Sequence, residues 1–129
     1  SWHSDVPFSN PLHIKVQIYV HDVLPESGEF AFVPGSHKLD SGPYSKVKWA
    51  NSMPGHRTFP GEAGTAIVFN AYGWHTSMDI QTDVARKSII LIYEKSTPNR
   101  VSPDRFAAIA NYCVTPERRR LFGLEAYES

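Results

Sequence analysis

The sequence predicts a single, mainly β domain ending in two short helices, and three observations carry that reading. Ten prolines and eight glycines punctuate short runs of β-branched and aromatic residues across 129 residues, a length that supports one core. Residues 13–20 alternate strictly, with Ile14, Val16, Ile18 and Val20 on one side and His13, Lys15, Gln17 and Tyr19 on the other. Beyond residue 100, two Ser/Thr-Pro-acid signatures open helices.

Composition narrows the function classes. Thirteen basic and thirteen acidic side chains cancel, so no net field draws the chain to nucleic acid or to an anionic membrane. The longest apolar runs, such as residues 88–93, fall far short of a membrane span of about 20 residues. No secretory pattern is visible, and the expectation is an intracellular, cytoplasmic protein. Cys113 is the single cysteine, which excludes an internal disulfide and slightly favours a reducing compartment. A chemically loaded motif lies within the first five residues, where chain ends fray, so the expectation is the C-terminal part of a longer protein.

Each element has its own justification. In Trp2-His3-Ser4-Asp5, His3 and Asp5 stand two apart and share one side of an extended backbone. They can reach one ion, or form an exposed polar chain end. A loop with two prolines leads to the alternating strand 13–20, with one packed face. Its polar face, with Gln17 and Tyr19, looks either into a cavity as substrate contacts or into water. A turn over residues 22–28 precedes a short strand, 29–33. The Pro34-Gly35-Ser36-His37-Lys38 turn follows, and Gly35 suits the positive φ such a turn wants. His37 is open to three roles: ligand, donor behind the ligands, or surface residue.

Residues 39–61 show no sustained period and read as a long loop of the kind used as a lid or binding segment. Tyr44, Trp49, Met53 and His56 are its candidate substrate contacts, with passive packing as the alternative. Strands follow at 65–69 and at 74–78, the second with His75 inward. The longest strand is placed at 85–94, where Arg86, Ser88, Ile90 and Ile92 share a face. Burying a guanidinium beside isoleucines is costly unless an anion meets it. Arg86 therefore pairs with an acidic side chain or waits for an anionic ligand. Ser102-Pro103-Asp104 opens a helix over 105–112, and Thr115-Pro116-Glu117 a second over 118–122; Arg118-Arg119-Arg120 reads as a solvated face.

Two imidazoles and one carboxylate on one side of an ion, with the opposite positions open, form the facial triad of non-haem Fe(II) oxygenases. His3, Asp5 and His75 supply those donors. The open positions suit a chelating 2-oxo acid and O2, and Arg86 offers a bidentate fork to the far carboxylate of 2-oxoglutarate.

On these residues the chain resembles the phytanoyl-CoA dioxygenase family of Fe(II)/2-oxoglutarate oxygenases. The likeness is carried by Trp2-His3-Ser4-Asp5, the run from Ser27-Gly28 to His37-Lys38, the strand ending at Phe69, Trp74-His75, and Arg86-Lys87-Ser88. It covers roughly residues 1–95. The resemblance implies a double-stranded β-helix, a cupin-like jelly-roll barrel that is incomplete at the N-terminus. Residues 1–95 would form the barrel core and 96–129 a helical extension packed on the same domain. It implies His3, Asp5 and His75 as iron ligands and Arg86 as the clamp on 2-oxoglutarate, with Ser88 assisting. It also places Gln17 on the cavity wall and His37 near the site without binding iron.

Asp5 favours hydroxylation or desaturation, since halogenating relatives carry a small residue at that place. The expected activity is attack on an aliphatic C–H of a small organic substrate, with Tyr19, His37 and Trp49 as its candidate contacts. Three other readings stay open: a jelly roll with unrelated histidines, an inactive relative that binds a ligand or partner, and a cupin-like metal hydrolase or isomerase. Substrate identity and oligomeric state are not legible.

Overall fold

A computed structural model describes residues 1–7, 13–38, 52–95 and 103–126. The chain divides into two compact units, Ser1–Glu94 and Lys95–Ser129. The first unit holds β1 (His13–Tyr19), β2 (Phe30–Phe32), β3 (Arg57–Phe59), β4 (Ala66–Asn70), β5 (His75–Ser77) and β6 (Ser88–Glu94). These form two antiparallel sheets, ordered β4-β1-β6 and β3-β2-β5. The chain passes back and forth between the sheets, the path of a double-stranded β-helix. Six strands are described where a full jelly roll has about eight.

Alternation in β1 is as expected, but its inward side is the polar one. His13, Gln17 and Tyr19 are buried, whereas Ile14, Val16 and Ile18 are half-buried and Val20 is 52 % exposed. A period of two identifies two faces without saying which is covered. Here Tyr19 of the covered face joins the buried cluster of Val23, Phe30 and Phe69. The outward residues sit in register with Val68 of β4 and with Ile89, Leu91 and Tyr93 of β6, all of which are exposed.

Strand β2 is packed on both faces. Phe30 and Phe32 point between the sheets, where Phe30 joins Tyr19, Val23 and Phe69 in one buried cluster. Ala31 points the other way, into a second cluster with Trp2, Val33, Met53 and Trp74. Full burial of a side chain of this size contributes about 1.5–3 kcal/mol. Met53, expected as a substrate contact or as packing, is therefore packing, and His56 stands edge-on to Trp2 at 5.4 Å.

Three expectations need correction. The stretch taken as one long loop contains β3, a three-residue strand too short to show a period. The last strand starts at Ser88, so Arg86 lies before the ladder rather than in it. That strand is also no longer than β1, each spanning seven residues. Tyr44 and Trp49 lie outside the described residues.

In the second unit, 3₁₀ turns run over Pro103–Tyr112 with a break at Phe106, and α1 spans Pro116–Leu121. Thr115 caps α1 by accepting from the Arg118 N–H, as its sequence signature requires. Gly123, at φ 64°, closes the other end. Among the described residues no helix is long and apolar enough to cross a membrane.

Tyr19 joins the two sheets. Its hydroxyl donates to the Phe59 carbonyl at 2.7 Å and accepts from the Phe30 N–H at 2.9 Å. Expected as a substrate contact or a solvent-facing group, it is 1 % exposed and committed on both sides. Tyr19→Phe leaves a buried donor and a buried acceptor without that partner, so urea unfolding should show a loss of about 1–3 kcal/mol. A loss under about 0.5 kcal/mol, the size of a neutral surface change, would contradict this role.

Candidate metal centre

His3 and Asp5 come to His75 because residues 3–5 are tied to the β4–β5 turn and to β5. His3 and His75 exchange backbone hydrogen bonds at 3.1 Å in both directions, the Asp5 N–H donates to the Ala71 carbonyl, and the Ser4 hydroxyl donates to that of Tyr72. This bridge extends the β2–β5 sheet to His3.

The turn before His75 is fixed from a second side. Ser36, in the Pro-Gly-Ser-His turn, donates its hydroxyl to the Val33 carbonyl and accepts from the Trp74 N–H at 2.8 Å. Gly35 has φ 85°, the left-handed conformation that turn demands. Gly73 is required for closeness instead: a Cβ there would lie 2.2 Å from the Phe32 ring.

Both imidazoles are held in the tautomer that a metal needs. His75 Nδ1 lies 2.8 Å from the Gly73 carbonyl and His3 Nδ1 lies 2.7 Å from that of Ser1. A carbonyl accepts only, so each Nδ1 donates there, and each Nε2 is left as the nitrogen that can face an ion. Nε2 of His75 stands 3.0 Å from Asp5 Oδ2, and Nε2 of His3 stands 3.6 Å from Asp5 Oδ1. The three donor atoms lie within 4.8 Å of one another. Ligands about 2.1 Å from an ion and at right angles are about 3 Å apart, so the group is close to the spacing an octahedral ion needs.

Electrostatics agree with that role. Burial alone would raise the pKa of Asp5, but the Lys15 hydrogen bond and the charges of His75, Lys15 and His3 outweigh it, holding the carboxyl below its usual 3.8. Burial pushes His75 below its usual 6.5, and the Gly73 carbonyl and Asp5 oppose this without reversing it. The resting set is thus a neutral imidazole at His75 beside an ionised carboxylate. Lys15, which sequence reasoning did not single out, places Nζ 2.7 Å from Asp5 Oδ2.

Arg86 donates from Nη2 to Ser77 Oγ at 2.7 Å. Its buried Nη1 has no hydrogen-bond partner among the described residues, nor does Nε2 of Gln17, which is 4 % exposed. Of the two alternatives for Arg86, no described carboxylate takes the first. Ser88 pairs with Tyr19 across the β1–β6 ladder, while Ser77, from β5, is the side chain that holds Arg86. A cavity of about 290 Å³ opens among Phe30, Phe32, Phe59, Ile67, Phe69 and Asn70, with His37 in its wall. The Phe69 and Phe30 rings stand 4.9 and 5.8 Å from that of His75, so the cavity and the imidazole share a wall.

The signals for the missed residues differ. Ser36 and Gly73 lie within motifs already noted, whereas Lys15 and Ser77 act through side-chain contacts with Asp5 and Arg86 that no motif marks.

Solved structures share this architecture. The epimerase SnoN, crystallised in complex with Fe3+, alpha ketoglutarate and nogalamycin RO, matches with 28 % identity and a TM-score of 0.60 over 75 % of this chain and 42 % of its own. HygX from Streptomyces hygroscopicus, with nickel, 2-oxoglutarate and hygromycin B bound, matches at 23 % identity and TM-score 0.55 over 64 % of this chain and 36 % of its own. The carbocyclase SnoK matches at 19 % identity and TM-score 0.58 over 84 % and 49 %. The last two likenesses are of fold alone. The chain thus spans less than half the length of each of these proteins. No curated protein matches it. The model of the family described as Phytanoyl-CoA dioxygenase (PhyH) matches residues 1–88, well over half of the chain, and the chain belongs to that family.

Proposed function

We propose that this chain carries the metal centre of an Fe(II)- and 2-oxoglutarate-dependent dioxygenase that hydroxylates or desaturates an aliphatic C–H of a small organic substrate. The observation that carries the reading is the convergence of His3 Nε2, His75 Nε2 and an Asp5 oxygen, each with a lone pair free for an ion. The unpartnered Arg86 Nη1 and Gln17 Nε2 support a carboxylate-bearing co-substrate, because buried donors are rarely left without an acceptor. The SnoN complex adds weight, since a relative at 28 % identity holds Fe3+ and alpha ketoglutarate. SnoN is an epimerase, so hydroxylation or desaturation here rests on Asp5 as a ligand rather than on that likeness.

Bound iron, with 2-oxoglutarate and O2, supplies the oxidising chemistry, giving succinate and CO2 as co-products. The protein's part is binding and orientation. His3 and His75 would offer neutral nitrogens already aimed by their Nδ1–H bonds, and Asp5 would lower the charge of the ion. Arg86, steadied by Ser77, would receive the distal carboxylate through Nη1, with Gln17 as a further donor and Ser88 nearby. The phenylalanine-lined cavity would exclude water and accept apolar surface. His37 Nδ1 is buried and unpartnered among the described residues, so it would meet a polar group of the substrate. We place this chemistry on a small-molecule substrate inside the cell.

Anaerobic addition of Fe(II) and 2-oxoglutarate should give the visible charge-transfer band of the chelate, and His75→Ala should abolish it; a band of equal strength in the variant would sink the metal assignment. Arg86→Ala should weaken 2-oxoglutarate on the order of a hundredfold while leaving metal affinity alone. An unchanged concentration dependence would remove the clamp.

The metal-free protein should also lose stability on mild acidification. The folded pKa of His75 lies below its unfolded 6.5, so the unfolded chain takes up the proton first. Its contribution is complete above pH 6.5 and is lost as pH falls toward the folded value. Asp5, depressed below 3.8, adds a further loss in stronger acid. Urea midpoints that stay flat between about pH 7.5 and 5 would contradict the buried neutral imidazole.

A further inference from the structure

We propose that Lys15 is a positioning residue of the metal centre, whose ammonium holds one oxygen of Asp5 so that the carboxylate meets an ion through a single oxygen. The inference rests on the metal-centre reading above and deepens it. Lys15 lies on β1 with Phe69 and Ile92 as its cross-strand partners. Its side chain is 14 % exposed, and a lysine so covered needs an anion. Asp5 Oδ2, at 2.7 Å, is the partner the structure gives it.

The geometry divides the carboxylate. Oδ2 faces both Lys15 Nζ and His75 Nε2, whereas Oδ1 faces His3 Nε2. With an ammonium occupying one lone-pair direction of Oδ2, turning both oxygens symmetrically onto one ion would break a short, covered ion pair. A carboxylate free of that tie can chelate with both oxygens. It would then take a second coordination position and hold the ion more tightly. Lys15 has two consequences, therefore: positions on the ion stay open for exchangeable ligands, and affinity is lower than the donor set alone would give, because a cation stands beside it.

Mn(II) is the probe, used without co-substrate on the intact chain. Water-proton relaxation counts exchangeable waters on the bound ion, and the same titration gives its affinity. The parent should show about three such waters, the number a facial triad leaves. Lys15→Met, which keeps the stem, and Lys15→Gln, neutral but polar, should each show about one water fewer and bind Mn(II) on the order of tenfold more tightly, the scale on which partners of metal ligands act. Lys15→Arg, which restores the cation, should return both values toward the parent. A lysine that merely steadied the fold would change the urea midpoint and leave the hydration number alone. If the neutral variants keep the parent's hydration and affinity, the inference is overturned while the metal centre stands. If the parent itself binds no Mn(II), the metal-centre reading fails and takes the inference with it.

Discussion

The site depends on the reciprocal backbone bridge between His3 and His75. Without it the backbone of His3 would not be pinned to that of His75, and the carboxylate two residues on would not be aimed at the same point. With it, the N-terminal segment lies beside β5, and the side chains of His3 and His75 bring their rings to 4.6 Å. Asp5, two residues on, is fixed again at the Ala71 carbonyl. Sheet pairing thus performs the step that sequence spacing cannot: it carries donors from opposite ends of the unit to one point.

That bridge requires the β4–β5 turn to be rigid, and small residues make it so. Gly73 lets the Phe32 ring pack against the turn and lends its carbonyl to His75, while Ser36 holds the Trp74 N–H from a neighbouring turn. Tyr19 then ties β1 to the opposite sheet through the backbone of Phe30 and Phe59. The aromatic cluster around Phe30 fills the space behind His75, so the imidazole is dry on one side and polar on the other. The dry side depresses its pKa, and the polar side, with the Gly73 carbonyl and Asp5, opposes this without reversing it.

The site was more legible in the sequence than the packing around it. His3, Asp5 and His75 stood out because a pair at spacing two and a histidine after a strand are local patterns, and folding then brought all three together. The mainly β class, the strand at β1 and the Thr115 cap follow from equally local signals. The inward side of β1 did not, because a period of two marks two faces without saying which one is covered. The start of β6 after Arg86 was missed because a run of isoleucines extends the apparent period past the last ladder bond. Lys15 on Asp5 and Ser77 on Arg86 each join a strand residue to one outside the strands, and no periodicity or motif records such a side-chain contact.

The unpartnered donors are the part of this molecule that folding alone does not explain. Arg86 Nη1 and Gln17 Nε2 are buried without an acceptor among the described residues, and each such group costs about 1–3 kcal/mol. In the proposed reading, the co-substrate supplies the acceptors they lack. The charges point the same way. Asp5 and Lys15 cancel beside His75, which leaves a metal-free centre that is nearly neutral and tolerable in a half-buried place. In the proposed reading, a divalent cation brings two positive charges and a dicarboxylic 2-oxo acid brings two negative ones. One carboxylate then lies at the ion and the other at Arg86, which makes no ion pair among the described residues. Ion and co-substrate together would thus complete a set of interactions that the folded chain leaves open at both ends.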